Sequence, residues 1–240
     1  MKFALLSLAL ILSAAAAGDL TSSGGDAFPS RWNGTDAETI LLSQLPTGSA
    51  YSSQKFADND STLLDSGIAD DFQFSVSTTI NKIRWWGQYW NPGPGPFNCD
   101  AQIYIYADDG SGSAPTLPEH SSALMYFHLP AGSYTETADG GNFVYEYIFP
   151  SWVIFDPGVT YWIEIRKVLP FSTGGQWGLV ASTPVSMSQS VQGIIGFGTS
   201  PYWTPLTDIG SNPVDVAFQL IWDDSVELSR NTWASIKSIF

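Results

Sequence analysis

Cysteine is nearly missing from this chain. Cys99 is the only one among 240 residues, which excludes an intramolecular disulfide and the disulfide-stapled class of small exported domains. A single free thiol is most often a small core filler. Basic residues are also scarce: 9 Lys and Arg stand against 23 Asp and Glu, for a formal net charge of −14. Such a surface repels phosphate backbones and anionic lipid, so no nucleic-acid partner is expected, while divalent cations are attracted. Histidine is limited to His120 and His128. No histidine pair brackets a glutamate at metalloprotease spacing, and no serine sits in a glycine-flanked nucleophile turn. Beyond the N-terminus no apolar run approaches the roughly 20 residues that span a bilayer as a helix, so no transmembrane segment is expected.

The chain begins with Lys2, an apolar stretch over residues 4–12, and the small residues Ala15, Ala16 and Ala17 before Gly18. One positive charge, a short apolar stretch and an A-x-A ending predict a secretory signal over residues 1–17 and a secreted product. Residues 18–49, rich in Gly, Ser, Thr and Asp, predict an irregular segment in which 35–42 could form a short helix. From residue 50 to 224 the pattern is two-residue alternation. Phe72, Phe74 and Val76 oppose Asp71, Gln73 and Ser75; Tyr161, Ile163 and Ile165 oppose Trp162, Glu164 and Arg166. Strands are expected over 69–76, 79–87, 101–107, 123–129, 143–149, 152–155, 160–167, 176–181, 191–196 and 215–222. The run Asn91-Pro92-Gly93-Pro94-Gly95-Pro96 breaks the pattern as a loop. Many short strands punctuated by Gly and Pro predict an all-β fold, an antiparallel two-sheet sandwich of jelly-roll type. A tail over 225–240 places Trp233, Ile236 and Phe240 on one helical face, either docked on the sandwich or read as a surface-attachment address.

The order of short blocks carries a resemblance. Ala69-Asp70-Asp71-Phe72, Ile83-Arg84-Trp85-Trp86-Gly87-Gln88-Tyr89, Ile103-Tyr104-Ile105-Tyr106-Ala107-Asp108-Asp109-Gly110, Gly158-Val159-Thr160-Tyr161-Trp162 and Asp215-Val216-Ala217-Phe218 resemble a family of uncharacterised secreted bacterial β-sandwich domains. Members often carry C-terminal sorting tails. The resemblance covers roughly residues 40–222 and implies an extracellular sandwich without an agreed activity.

Three constellations could carry function. Asp70, Asp71 and Asp215 open the first and last strong strands. Those strands commonly neighbour each other in such sandwiches, and the carboxylates offer oxygens for structural calcium, which tolerates irregular shells. The turn Asp108-Asp109-Gly110-Ser111-Gly112 is a second acidic candidate, equally explained by turn chemistry. Aromatic residues make up 14% of the chain, with 10 Trp, and Trp85, Trp86, Tyr89, Trp90, Trp162 and Trp177 are the candidate glycan-contacting set. Alternation cannot bury both Trp85 and Trp86 in one core, and flat exposed rings receive the apolar faces of sugars. Glu146 and Glu164, both on expected strands, would be the acid pair if the protein were a glycan hydrolase. The leading expectation is a non-catalytic module that binds a glycan or another cell-surface component; the rivals are a structural matrix subunit and that hydrolase.

Overall fold

Alternating large apolar and polar side chains set the long strands and assign each residue a face. The computed structural model describes residues 38–58, 65–91, 95–116, 122–183, 186–195 and 202–226. The chain divides into Met1–Asp36 and Ala37–Phe240, and all described elements lie in the second unit. In chain order they are β1 (Glu38–Gln44), β2 (Pro46–Ser52), β3 (Gln54–Phe56), β4 (Asp65–Gln73), β5 (Thr78–Trp90), β6 (Asp100–Ala107), β7 (Met125–Leu129), β8 (Thr135–Asp139), β9 (Asn142–Phe155), β10 (Thr160–Leu169), α1 (Phe171–Gly174), β11 (Gln176–Ser182), β12 (Val191–Ile195), β13 (Tyr202–Pro205), β14 (Asp215–Val216) and β15 (Phe218–Asp223).

The strands form two sheets. One has eight strands: β5 is its spine, with β9 and then β8 on one edge, and β15 with β1, and β11 with β2 and β14, on the other. The second has seven strands in the order β13-β12-β4-β3-β10-β6-β7, with β4 also paired directly to β10. The sandwich core lies between them. Ile83, Trp85 and Phe218 from the first sheet meet Ile68, Phe72, Ile105 and Ile163 from the second. Each such side chain contributes roughly 1.5–3 kcal/mol by leaving water.

The expected two-sheet, all-β sandwich is present, and three features differ from the sequence expectation. Residues 38–49, expected to be irregular or briefly helical, form β1 and the start of β2. Their polar composition hides the strands because β1 and β2 lie at the margins, where β1 pairs only with β15 and β2 with β11. The sheets are not wholly antiparallel: β3 runs parallel to β10 over Lys167↔Gln54 to Leu169↔Phe56. The separate strands expected at 143–149 and 152–155 are one strand, β9. It pairs with β5 on both sides of a register shift opposite Ile80 and Lys82. The helical face of Trp233, Ile236 and Phe240 lies outside the described residues.

Candidate functional site

β10 continues its alternation one step beyond Ile163 and Ile165, and that step puts Lys167 on the core face. Its side chain is wholly buried, whereas Arg166 points to the other side of the sheet. The ammonium lies 4.9 Å from the ring centre of Tyr89, 5.5 Å from Tyr134 and 4.7 Å from Tyr145. It donates to Glu136 Oε2 at 2.8 Å, to the Tyr89 hydroxyl, and to the Phe97 carbonyl at 3.4 Å. Glu136, on β8, has a side chain 10% exposed. Its Oε1 accepts from the hydroxyls of Tyr89 at 2.7 Å and Tyr145 at 2.9 Å. Burial pushes the Lys167 amine below its ordinary value, and the nearby Glu136 charge only partly offsets this.

The cage is held from several elements. Trp177 Nε1 donates to the Tyr145 hydroxyl at 3.0 Å, and Trp85 stacks on Tyr145 at 5.3 Å. Tyr134 donates to the Cys99 carbonyl at 2.7 Å, fastening the turn before β8 to the loop before β6. A cavity of about 240 Å³ opens beside this cage, lined by Pro96, Asn98, Gly132, Tyr134 and Glu136. Its lining combines the polar side chains of Asn98 and Glu136 with the aromatic side chain of Tyr134.

The six aromatics expected to form a ligand face do not form one. Trp85, Trp162 and Trp177 are fully buried, Trp86 and Tyr89 nearly so, and Trp90 is half-buried. Trp177 covers Gly87, where a Cβ would come within 2.4 Å of the indole. Trp162 Nε1 donates to Asp108 at 3.1 Å, and Trp86 Nε1 donates to Asp139 at 3.1 Å. Trp85 and Trp86 do face opposite ways, as alternation requires. The outward one is covered because Val144, Ala50, Val180 and Ala217 pack around it. Of the six, only Tyr89 belongs to the Lys167 cage.

Two of the three predicted aspartates converge. Asp70 and Asp215 are both fully buried, one from each sheet. Asp70 accepts from Asp71 N–H and Val216 N–H, both at 2.9 Å. Asp215 Oδ2 accepts from Ser186 N–H at 2.7 Å, while its Oδ1 is buried without a partner. With its amide turned so that the oxygen accepts from Ser186 Oγ, Gln44 bridges the group, donating to Asp70 Oδ2 at 2.9 Å and to the Val216 carbonyl at 2.7 Å. Burial, and after it the charge of Asp215, raises Asp70 well above the usual carboxylate range; burial raises Asp215 to about 6. Asp71 is turned to the other face of β4 and accepts from Ser188 N–H at 3.1 Å. Among the described residues no three Asp, Glu, His or Cys side chains gather as metal ligands. The trio expected to hold calcium is therefore not one cluster. In the second acidic candidate, Asp108 and Asp109 accept from the N–H groups of Gly110, Ser111 and Gly112, which is turn capping.

Glu146 and Glu164 lie on different sheets and both face outward, away from each other. Glu146 accepts from Arg84 Nε at 2.6 Å and pairs with Lys82 at 3.1 Å. Glu164 accepts from the Tyr106 hydroxyl at 2.6 Å, with Arg166 at 3.5 Å. The core of the sandwich separates them.

A model of a domain of unknown function, DUF7901, matches residues 42–221. The chain belongs to this family. Comparison with curated proteins finds no match. The matched span runs from within β1 to within β15, so it contains both sheets, the Lys167 cage and the Asp70–Asp215 pair. The DUF7901 span also holds every residue of the cage that sequence reading missed: Lys167, Glu136, Tyr134 and Tyr145. One signal pointed there, a lysine in the apolar phase of the Tyr161, Ile163, Ile165 alternation.

Proposed function

We propose that this DUF7901 protein is an exported, non-catalytic binding module that takes a glycan, or the sugar of another surface component, into the cavity beside the Lys167 cage. The observation that supports this is the composition of the cavity wall. Tyr134 supplies aromatic surface for sugar C–H groups, while Asn98 and Glu136 supply polar oxygens for hydroxyls. At about 240 Å³ the cavity is smaller than the roughly 300–1,000 Å³ that accepts a drug-sized ligand, which favours one sugar ring or a chain end over a long oligosaccharide. The placement of Glu146 and Glu164 on different sheets favours this reading over a paired-acid hydrolase.

The test is a glycan array followed by calorimetric titration of the best ligand. Asn98 is exposed, so Asn98→Ala leaves the fold in place. Losing one hydrogen bond of about 1 kcal/mol weakens binding roughly five- to tenfold. A wild-type protein that binds nothing on a broad array refutes the reading.

A second reading has its own observation. Ile148, Trp152 and Ile154 on β9 are exposed, and Trp152 meets Trp222 at 5.9 Å. Such an apolar patch suits contact with protein in a surface matrix. Sedimentation velocity decides it: concentration-dependent assembly that disappears in Trp152→Ser supports the matrix role, and a monomer at all concentrations removes it.

A further inference from the structure

Lys167 and Glu136 come from different sheets, β10 and β8, and meet at 2.8 Å inside the protein. We propose that they condense to an intramolecular amide, a covalent tie between the two sheets that forms spontaneously after folding. The proposal does not depend on what the neighbouring cavity binds.

Four features carry it. The first is proximity: two groups held in contact by a folded core react with effective molarities of about 10⁵–10⁸ M in favourable cases. The second is desolvation. Lys167 is wholly buried, and the three tyrosine rings around its amine exclude water. A buried ion pair bears a large cost of leaving water, and the neutral amide does not. The third is the pair of phenol donors on Glu136 Oε1, from Tyr89 at 2.7 Å and Tyr145 at 2.9 Å. They sit where negative charge develops when an amine adds to the carboxyl carbon, the arrangement that stabilises tetrahedral intermediates of acyl transfer. The fourth is the single cysteine, which leaves no intramolecular disulfide to cross-link the sheets.

The step balances without a cofactor. A proton passes from the Lys167 ammonium to Glu136 Oε2, giving amine and carboxylic acid. The nitrogen lone pair attacks Cδ, forming the C–N bond, and the carbonyl electron pair moves onto Oε1 between the two hydroxyls. A second proton goes from nitrogen to Oε2, the C–Oε2 bond breaks, and water departs as the carbonyl re-forms. One hydrogen stays on the amide nitrogen. The product leaves a neutral amide at the cavity floor, which suits an uncharged, hydroxyl-bearing ligand.

The experiment is mass spectrometry of the purified full-length protein, intact and after denaturation and trypsin digestion. The expected result is an intact mass lower by one water, no cleavage after Lys167, and a branched peptide joining the segment of Glu136 to that of Lys167. Lys167→Met abolishes both signatures, and Tyr89→Phe slows their appearance in freshly refolded protein. The wild-type peptide map stands alone if a variant fails to fold. An unmodified mass with free cleavage after Lys167 overturns the proposal. So does a water loss mapped elsewhere, for example to a succinimide at Asp109-Gly110 or Asp139-Gly140, with Lys167 still cleavable.

Discussion

Raising the pH from about 5 to about 8 should weaken this fold, although acid is the usual denaturant. The cause is the buried pair Asp70 and Asp215. An ordinary aspartate titrates near 3.8, and Asp215 is raised to about 6, first by burial. Asp70 shifts the same way, by burial and then by the charge of Asp215. Between the ordinary value and the raised one, the folded state holds more protons than the unfolded state, so stability falls as pH rises. The contribution is complete below about 3.8 and declines through about 6, and the raised Asp70 adds to the decline. At about 1.4 kcal/mol per pH unit, Asp215 accounts for on the order of 2–3 kcal/mol.

For a domain of this size roughly 1 kcal/mol moves Tm by 2–4 °C. About 1.4 kcal/mol of that Asp215 contribution falls between pH 5 and pH 8, so the expected drop is roughly 3–6 °C, read by calorimetry or circular dichroism. Asp215→Asn carries no charge at any pH and keeps an acceptor for the Ser186 N–H, so it flattens the slope and is the more stable protein at pH 8. The ionic network around Glu38 works in the opposite sense. Its carboxyl is held low by Lys82 and Arg84 against the opposing effect of burial, so that support is lost only as pH falls through its depressed value, below the scanned range. Equal wild-type stability at both pH values, or an Asp215→Asn slope as steep as wild type, refutes the reasoning. Restoration of pH 8 stability by millimolar calcium, reversed by chelator, assigns the two carboxylates to a cation instead.

Two further predictions follow from burial. In Gly67→Ala the new Cβ would lie 1.9 Å from Glu164 Oε1, and Glu164 is fixed by Tyr106; overpacking of this kind costs roughly 2–3 kcal/mol, measured by urea unfolding, and a loss below about 0.5 kcal/mol would contradict the described geometry. Burial pushes the Cys99 thiol up, so a thiol reagent at about pH 8 should react at least roughly tenfold faster with unfolded than with folded protein, and equal rates would place the thiol in solvent.

The layer architecture was legible because β5, β6, β10 and β15 each carry a run in which every second side chain is large and apolar and packs in the core. β1 and β2 were not, since marginal strands need little apolar surface and read as polar loop. The aromatics misled for a related reason. Alternation does set Trp85 and Trp86 on opposite faces, but it is silent on what lies above the outer face, and β-sheet neighbours close over Trp86 as they do over Tyr104 and Tyr106 on the other sheet. The meeting of Lys167 with Glu136 joins residues 31 positions apart on different sheets, which no local pattern encodes. Only the lysine's position in the apolar phase was visible.

The disposition of charge narrows the ligand. Of the Lys and Arg residues among the described ones, Lys82, Arg84, Arg166 and Lys167 each meet a carboxylate at 3.5 Å or closer, which leaves Lys55. Four of the five described cations thus have internal partners, which leaves them little capacity to neutralise the surplus of acid behind the net charge of −14. A field of that sign raises the cost of bringing a uronic or sulfated sugar to the cavity and leaves a neutral one unaffected. Affinity for a neutral glycan should therefore change little between low and high salt. An acidic glycan that binds tightly at low salt would require a local cation, and among the described residues Lys167, behind Glu136 and Tyr134, stands beside the cavity; a free amine there would count against the amide as well.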